Sequence, residues 1–326
     1  MAQEFENDDL FGDSLDTKMS FLEERKAANN DGIYRIQLDK AKDKKKGYRS
    51  VIRFLPNVTK EGKLGESAIE KITHYVNIPN NKEMSGFFDS PKNFGKEEHC
   101  GLSSLFYQLD KSKNAVLKEK AKCLQYSKKY YSYVLILEDE QQPELVGKIM
   151  IFQYGKTIAD KIKTEMNGEI TGEKCNVFKV ETGKDFVLVV KEIQTGDETY
   201  PDYKNSSFKE RSPLQIYVEG KGFKPVPIVD GKVAPKAQAM VKEFLMKREH
   251  NLDEFAPKRL TDEQQAKITE ITNFLTGKVS ASFNQSKSKP SSEDFDMEDV
   301  VSTESVTNSG SSKGSEDDDD FFNFDW

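Results

Sequence analysis

The sequence predicts a mixed α+β fold: a small, elaborated β-barrel carrying a loop-rich insert and followed by helices. Three observations predict it. Short alternating or β-branched stretches recur between residues 31 and 195 with long, uneven interruptions, whereas a doubly wound sheet would alternate strands with regularly spaced helices. Gly, Pro and Asn gather in residues 57–100, the start of an insert reaching to about residue 128. From Ala234 the apolar spacing turns from strand-like to helical.

Residues 1–13 are acidic and read as an unstructured arm. Ser14 caps a short helix ending near residue 28, with Leu15, Met19, Phe21 and Leu22 as its stripe, before Asn29-Asn30-Asp31-Gly32 breaks it. Alternation over Ile33–Leu38 predicts a strand. Lys42 to Lys46 with Gly47 form a basic loop, and Ser50–Leu55 is a strand stopped by Pro56. Within the insert a strand is expected near Ile69–Ile78 and a helix over Leu102–Leu124. Tyr130–Leu137 and Lys148–Tyr154 are strands, Thr157–Met166 a helix, and Val177–Val180 and Phe186–Ile193 further strands. Residues 31–232 thus form the core. A helical segment follows over 233–280, with Met240, Phe244 and Leu245 in one helix and a second running from the Thr261 cap to Phe274 and Leu275. Residues 281–326, rich in Ser, Asn, Lys and acid, are expected to be disordered.

The net charge of -7 conceals an asymmetry. Residues 291–326 hold twelve acidic residues and one basic, a net of -11, and residues 1–30 hold eight and three, a net of -5. The intervening 31–290 carry 45 basic against 36 acidic, a net of +9. A basic body between acidic ends points to a polyanionic partner, for which the tail can compete. Cys100, Cys123 and Cys175 are odd in number and widely spaced, so no disulfide framework is implied. The N-terminus lacks signal-peptide character, and no apolar run approaches the roughly 20 residues that span a bilayer, so a soluble intracellular protein is expected.

Basic and aromatic residues interleave. Tyr126, Lys128, Lys129, Tyr130, Tyr131 and Tyr133 fall within eight positions. Around them lie Lys44, Lys45, Lys46, Tyr48, Arg49 and Arg53, then Phe152, Tyr154 and Lys156, then Tyr200, Tyr203, Lys204 and Phe208. Unstacked bases need flat apolar partners and their backbone needs cations, a combination tolerant of any base sequence. Strand alternation sends Tyr131 and Tyr133 to one face and Tyr130 to the other, so the three do not all stack on bases together.

At the C-terminus, Asp317, Asp318, Asp319 and Asp320 run into Phe321, Phe322, Phe324 and the only tryptophan, Trp326. Charge alone would solubilise; the aromatics add groups that can fill a partner's pocket. His74, His99, Cys100 and Cys123 are metal-ligand types, but no close Cys–Cys or His–His pair marks a zinc site. Walker spacing, a nucleophile elbow and a His-Glu-x-x-His motif are all missing, so no catalytic residue is assigned and a non-enzyme is expected.

Several blocks then carry a resemblance. They are Gly32-Ile33-Tyr34-Arg35-Ile36-Gln37-Leu38-Asp39, Val51-Ile52-Arg53-Phe54-Leu55-Pro56 and Tyr130–Leu137. Pro143-Glu144 with Gly147-Lys148, Phe152-x-Tyr154-Gly155-Lys156 with Asp160-Lys161-Ile162, and Phe186-Val187-Leu188-x-Val190-Lys191 followed by Tyr203 and Phe208 complete the series. In this order they resemble the single-stranded DNA-binding proteins of T4-like bacteriophages over residues 30–210.

The resemblance implies an OB-fold core whose basic, aromatic-lined cleft coats single-stranded DNA in phage replication, recombination and repair, in the cytoplasm of the infected bacterial host. It implies self-association along DNA and a tail that recruits replication and recombination proteins. Tyr130 and Tyr131 stand at the family's Tyr-Trp pair, Phe152 and Tyr203 at DNA-facing tyrosines, and Tyr200 at a cleft phenylalanine. Arg35 joins the lysines, Arg49 and Arg53 as a phosphate contact. Two departures follow. The family's N-terminal arm is basic and drives cooperative contacts between neighbours on the strand, whereas the arm here is acidic, with Glu4, Glu6, Asp8 and Asp9. Its zinc subdomain has one His and three Cys, whereas the matching positions here are His74, Ser90, Cys100 and Ser103. The metal site reads as lost, no cofactor is expected, and Phe87, Phe88 and Phe94 are expected to hold the loop by packing. The alternatives are an interaction scaffold that uses the tail and C-terminal helices, or an RNA-binding regulator.

Overall fold

Residues 124–139 place apolar or aromatic side chains at both odd and even positions, so a strand formed there buries both faces. The computed structural model describes residues 32–38, 47–79, 81–195 and 198–277, and this 16-residue strand is its longest. In chain order the strands are β1 (Ile33–Tyr34), β2 (Tyr48–Phe54), β3 (Ile69–Val76), β4 (Gly86–Asp89), β5 (Leu124–Asp139), β6 (Ile149–Tyr154), β7 (Lys184–Thr195), β8 (Glu198–Asp202) and β9 (Ser207–Arg211). Two small hairpins follow, β10 (Gln215–Val218) with β11 (Gly222–Pro225) and β12 (Ile228–Val229) with β13 (Lys232–Val233). The helices among the described residues are α1 (Gly101–Asp110), α2 (Ala115–Ala121), α3 (Lys156–Asn167), α4 (Pro235–Met246) and α5 (Asp262–Thr276).

Nine strands make one mixed sheet along the path β1-β6-β5-β2-β7-β8, with β3 and β4 branching from β5 and β9 from β7. The length of β5 lets three neighbours share it: residues 124–131 pair with β3, 130–135 with β6 and 134–139 with β2. Among the described residues this path shows a large mixed sheet and no closed barrel.

Three elements differ from the sequence reading. The strand expected over Ile33–Leu38 is two residues long and runs parallel to β6. The helix expected over Leu102–Leu124 is broken into α1 and α2, because Asn114 accepts a bond from the Val116 N–H and starts a new helix; Leu124 already belongs to β5. Val177–Val180 is a turn: the Asn176 side chain accepts from the Phe178 N–H, and the buried Val177 and Phe178 plug the core from a loop.

Both faces of the sheet are covered. On one, Tyr130, Val134 and Ile136 of β5 join Phe54, Phe152 and Phe186 beneath Ile158, Ala159 and Ile162 of α3. On the other, Tyr133, Leu135 and Leu137 pack under Leu214, Ile216, Leu252 and the α4 residues Val241 and Leu245. A third core lies in the insert, where Val76, Phe88, Leu102, Leu105 and Leu109 meet Ile271 and Leu275 of α5. The C-terminal helices are therefore divided between two cores. Thr261 caps α5 as expected, and does so within a capping box, Thr261 accepting from the Gln264 N–H and the Gln264 side chain accepting from the Thr261 N–H.

Candidate nucleic-acid interface

The register of β5 against β6 sets Tyr130 opposite Tyr154 and Tyr131 opposite Gln153, which brings Lys129 to the end of β6. There Gly155 opens α3 without a side chain to cap it, so the positive end of the helix dipole stands at the junction. Lys129, Gln153, Tyr154, Gly155, Thr157, Ile158 and Tyr203 line one pocket at this corner. Lys161 of α3 donates to the Lys204 carbonyl at 3.1 Å and ties the loop carrying Tyr203 and Lys204 to the same helix. Cations, aromatic faces and a helix N-terminus thus converge, the combination that holds phosphates and bases.

Tyr130 and Tyr154 stack with centroids 5.7 Å apart and planes inclined by 16°. The Lys128 ammonium lies 5.9 Å above the Tyr130 ring and pairs with Glu70 at 2.8 Å. Burial first, and then the nearby Glu70, raises the Tyr130 hydroxyl pKa; burial alone does so for Tyr154. Burial, with Asp89 behind it, pushes Tyr131 up to about 12. All three phenols are neutral at physiological pH and bring no negative charge to the corner.

The structure assigns other residues expected at the interface to the interior. Tyr48, Arg53 and Phe152 are core residues. Tyr48 and Tyr34 each donate to Asp139 at 2.5 Å, and Gln142 donates to the Tyr48 hydroxyl at 2.8 Å. Phe152 lies between Tyr34 and Phe54 in a chain of ring contacts. Tyr130 and Tyr154 are only 7% and 4% exposed, so they offer bases little surface. Tyr131 stacks instead on Phe255, with centroids 4.8 Å apart. Arg49 is exposed but paired with Glu138 at 3.4 Å. Tyr200 on β8 is half-buried opposite Ile193, and Lys156 is the first residue of α3. Lys44, Lys45, Lys46, the N-terminal arm and the tail residues Asp317–Asp320, Phe321, Phe322, Phe324 and Trp326 lie outside the described residues. Gln153, Thr157 and Lys161 were not anticipated; a glycine directly before a helical pattern is the signal that marks them.

Because the Tyr48 hydroxyl serves the core, Tyr48→Phe is expected to cost about 1 kcal/mol of stability and leave DNA affinity unchanged. Thermal denaturation and a DNA titration on the same preparation check both halves.

In the insert, the four positions aligned with zinc ligands do meet. His74 on β3 lies 3.1 Å from the Cys100 sulfur and 3.3 Å from the Ser103 hydroxyl, both measured from Nε2. The Ser90 hydroxyl donates to Cys100 at 3.7 Å. Burial raises the Cys100 thiol, but bonds to His74 and Ser103 and the His74 charge outweigh it and bring the thiol down to about 6. One imidazole, one thiol and two neutral hydroxyls do not make a zinc donor set. Of the phenylalanines expected to hold the loop, Phe88 is in the insert core. Phe87 is 70% exposed and stacks on Tyr75, and Phe94 lies under Arg259.

Lysines, tyrosines and a glycine-opened helix gathered at one corner of a mixed sheet are features found in proteins of the nucleic-acid-binding class. The family model described as gp32 DNA binding protein like matches residues 46–275, and the chain belongs to this family of DNA-binding proteins. No curated protein matches the chain. Among the described residues no helix is long and apolar enough to cross a membrane.

Proposed function

We propose that the protein binds and coats single-stranded DNA and catalyses no reaction. The observation that carries this reading is the convergence of Lys129, Tyr154, Tyr203 and the start of α3 in one pocket, in a chain whose family binds DNA. Phosphates sit against Lys129, Lys156, Lys204 and the first turn of α3, while the half-buried Tyr203 meets the bases and Tyr130 and Tyr154 support it from the core. Shared use of the long β5 by β2, β3 and β6 supports an OB-type core. The protein acts in phage DNA replication, recombination and repair in the host cytoplasm, and its acidic, aromatic tail recruits the other proteins of those processes. The composition of residues 317–326 supports that last step.

Fluorescence anisotropy of labelled oligo-dT against a duplex of equal length, at low and high salt, tests the reading. Tight, salt-sensitive binding to the single strand is expected. Lys129→Ala with Lys156→Ala should flatten the log–log salt slope by roughly 1.4, about 0.7 for each lost phosphate contact on a single strand. Tyr203→Ala should weaken binding by about 1–3 kcal/mol at every salt concentration. Equal affinity for strand and duplex would leave the scaffold reading in front.

A further inference from the structure

The insert solves a problem of cohesion. Its core must join β3, the segment after β4 and the start of α1, three consecutive elements that do not share one hydrogen-bonded ladder. A metal ion does this by drawing ligands from each segment onto one centre. Here His74 belongs to β3, Ser90 follows β4, and Cys100 and Ser103 stand at the start of α1. Their measured separations are 3.1, 3.3 and 3.7 Å. Donors around a tetrahedral zinc with bonds of about 2.0–2.3 Å stand about 3.3–3.8 Å apart. These three of the six separations among the groups match a metal centre within a few tenths of an ångström, while their chemistry is that of hydrogen-bonding groups.

Other contacts already fasten the same segments. The Asn93 amide makes two bonds to the Ile72 backbone, accepting from its N–H at 2.7 Å and donating to its carbonyl at 2.8 Å. The Ser90 N–H donates to that same carbonyl at 2.9 Å. From the far end of the chain, α5 buries Ile271 and Leu275 in the insert core, and Lys120 donates to the Leu275 carbonyl at 3.0 Å.

We infer that His74, Ser90, Cys100 and Ser103 are a metal-independent polar clamp that joins the insert, and that exchanging its two serines for cysteine makes it a zinc site. The clamp works by hydrogen bonds in which His74, Ser90 and Cys100 are buried and would be costly to leave unpaired, with Ser103 half-buried beside them. It stands apart from the DNA-binding reading, since it concerns only what holds the insert together.

The first test is metal analysis of the full chain purified without chelator, with melting temperature followed in EDTA and in added zinc. Less than about 0.1 zinc per chain and one melting temperature throughout are expected, against the single ion of a structural site. One zinc per chain, or a drop in melting temperature on chelation, overturns the clamp. The second test is Ser90→Cys with Ser103→Cys, loaded with zinc and separately with cobalt(II). About one zinc per chain and a tetrahedral cobalt spectrum are expected; a folded double variant that takes up no metal overturns the assigned geometry. Cys100→Ala gives a readout independent of that variant's folding. It should lower the melting temperature by several degrees, equally with and without EDTA, and an unchanged melting temperature overturns the clamp.

Discussion

Arg53→Met is expected to lower folding stability by about 3–5 kcal/mol, the range for removing one partner of a buried ion pair. Arg53 is 1% exposed and contacts Asp185 at 3.1 Å and the Ser212 hydroxyl at 3.2 Å through one terminal nitrogen. Through the other it donates to the carbonyls of Lys179 at 3.0 Å and Ser212 at 2.9 Å. Burial lowers the guanidinium pKa and Asp185 raises it again, which describes a charge kept inside by its partner. Gly183 fits this arrangement, since a Cβ there would come within 2.6 Å of the Arg53 guanidinium. Methionine fills much of the volume but leaves the buried Asp185 carboxylate and two carbonyls without their donor. At roughly 2–4 °C per kcal/mol for a chain of this size, the melting temperature should fall by about 6–20 °C. Below the transition, the salt slope of DNA binding should match the unsubstituted protein. Unchanged stability with a flatter salt slope would instead make Arg53 a phosphate contact.

Removal of residues 291–326 is expected to raise affinity for oligo-dT at low salt by about tenfold, within the 1–3 kcal/mol usual for coupling between two sites. The deleted segment carries a net charge of -11 and residues 31–290 carry +9, the charge relation expected if tail and DNA compete for one basic surface. Screening should erase the gain as the Debye length falls from about 10 Å at 0.1 M salt to about 3 Å at 1 M. Paired titrations of the full and shortened chains across that range check this. Identical curves would show that the tail does not compete.

Much of the fold was legible because it follows from local pattern. Pro56 after β2, the Thr261 cap before α5 and the aromatic and β-branched run in β5 each carry their meaning within a few residues. The interface was harder to read. Tyr130 and Tyr131 look like accessible stacking groups in sequence, but what covers them comes from afar: Tyr154 on β6 for one and Phe255, beyond α4, for the other. Arg53 and Tyr48 look like ligand-binding groups because a polar head suggests solvent. Their partners, Asp185 and Asp139, lie 132 and 91 residues away. Lys129 and Tyr203 were named from sequence, yet their shared pocket depends on where α3 begins, which only the assembled sheet decides. The four insert positions could be aligned by the family's spacing; their close approach required the fold.

The division of the C-terminal helices between two cores has a mechanical consequence. Gly277 ends α5, and α5 is rooted in the insert by Ile271, Leu275 and the Lys120 bond to the Leu275 carbonyl. A partner pulling on the chain beyond residue 277 therefore loads the insert before it loads the central sheet. Such a load passes to the corner around Lys129 through β3, which pairs with β5 over residues 124–131.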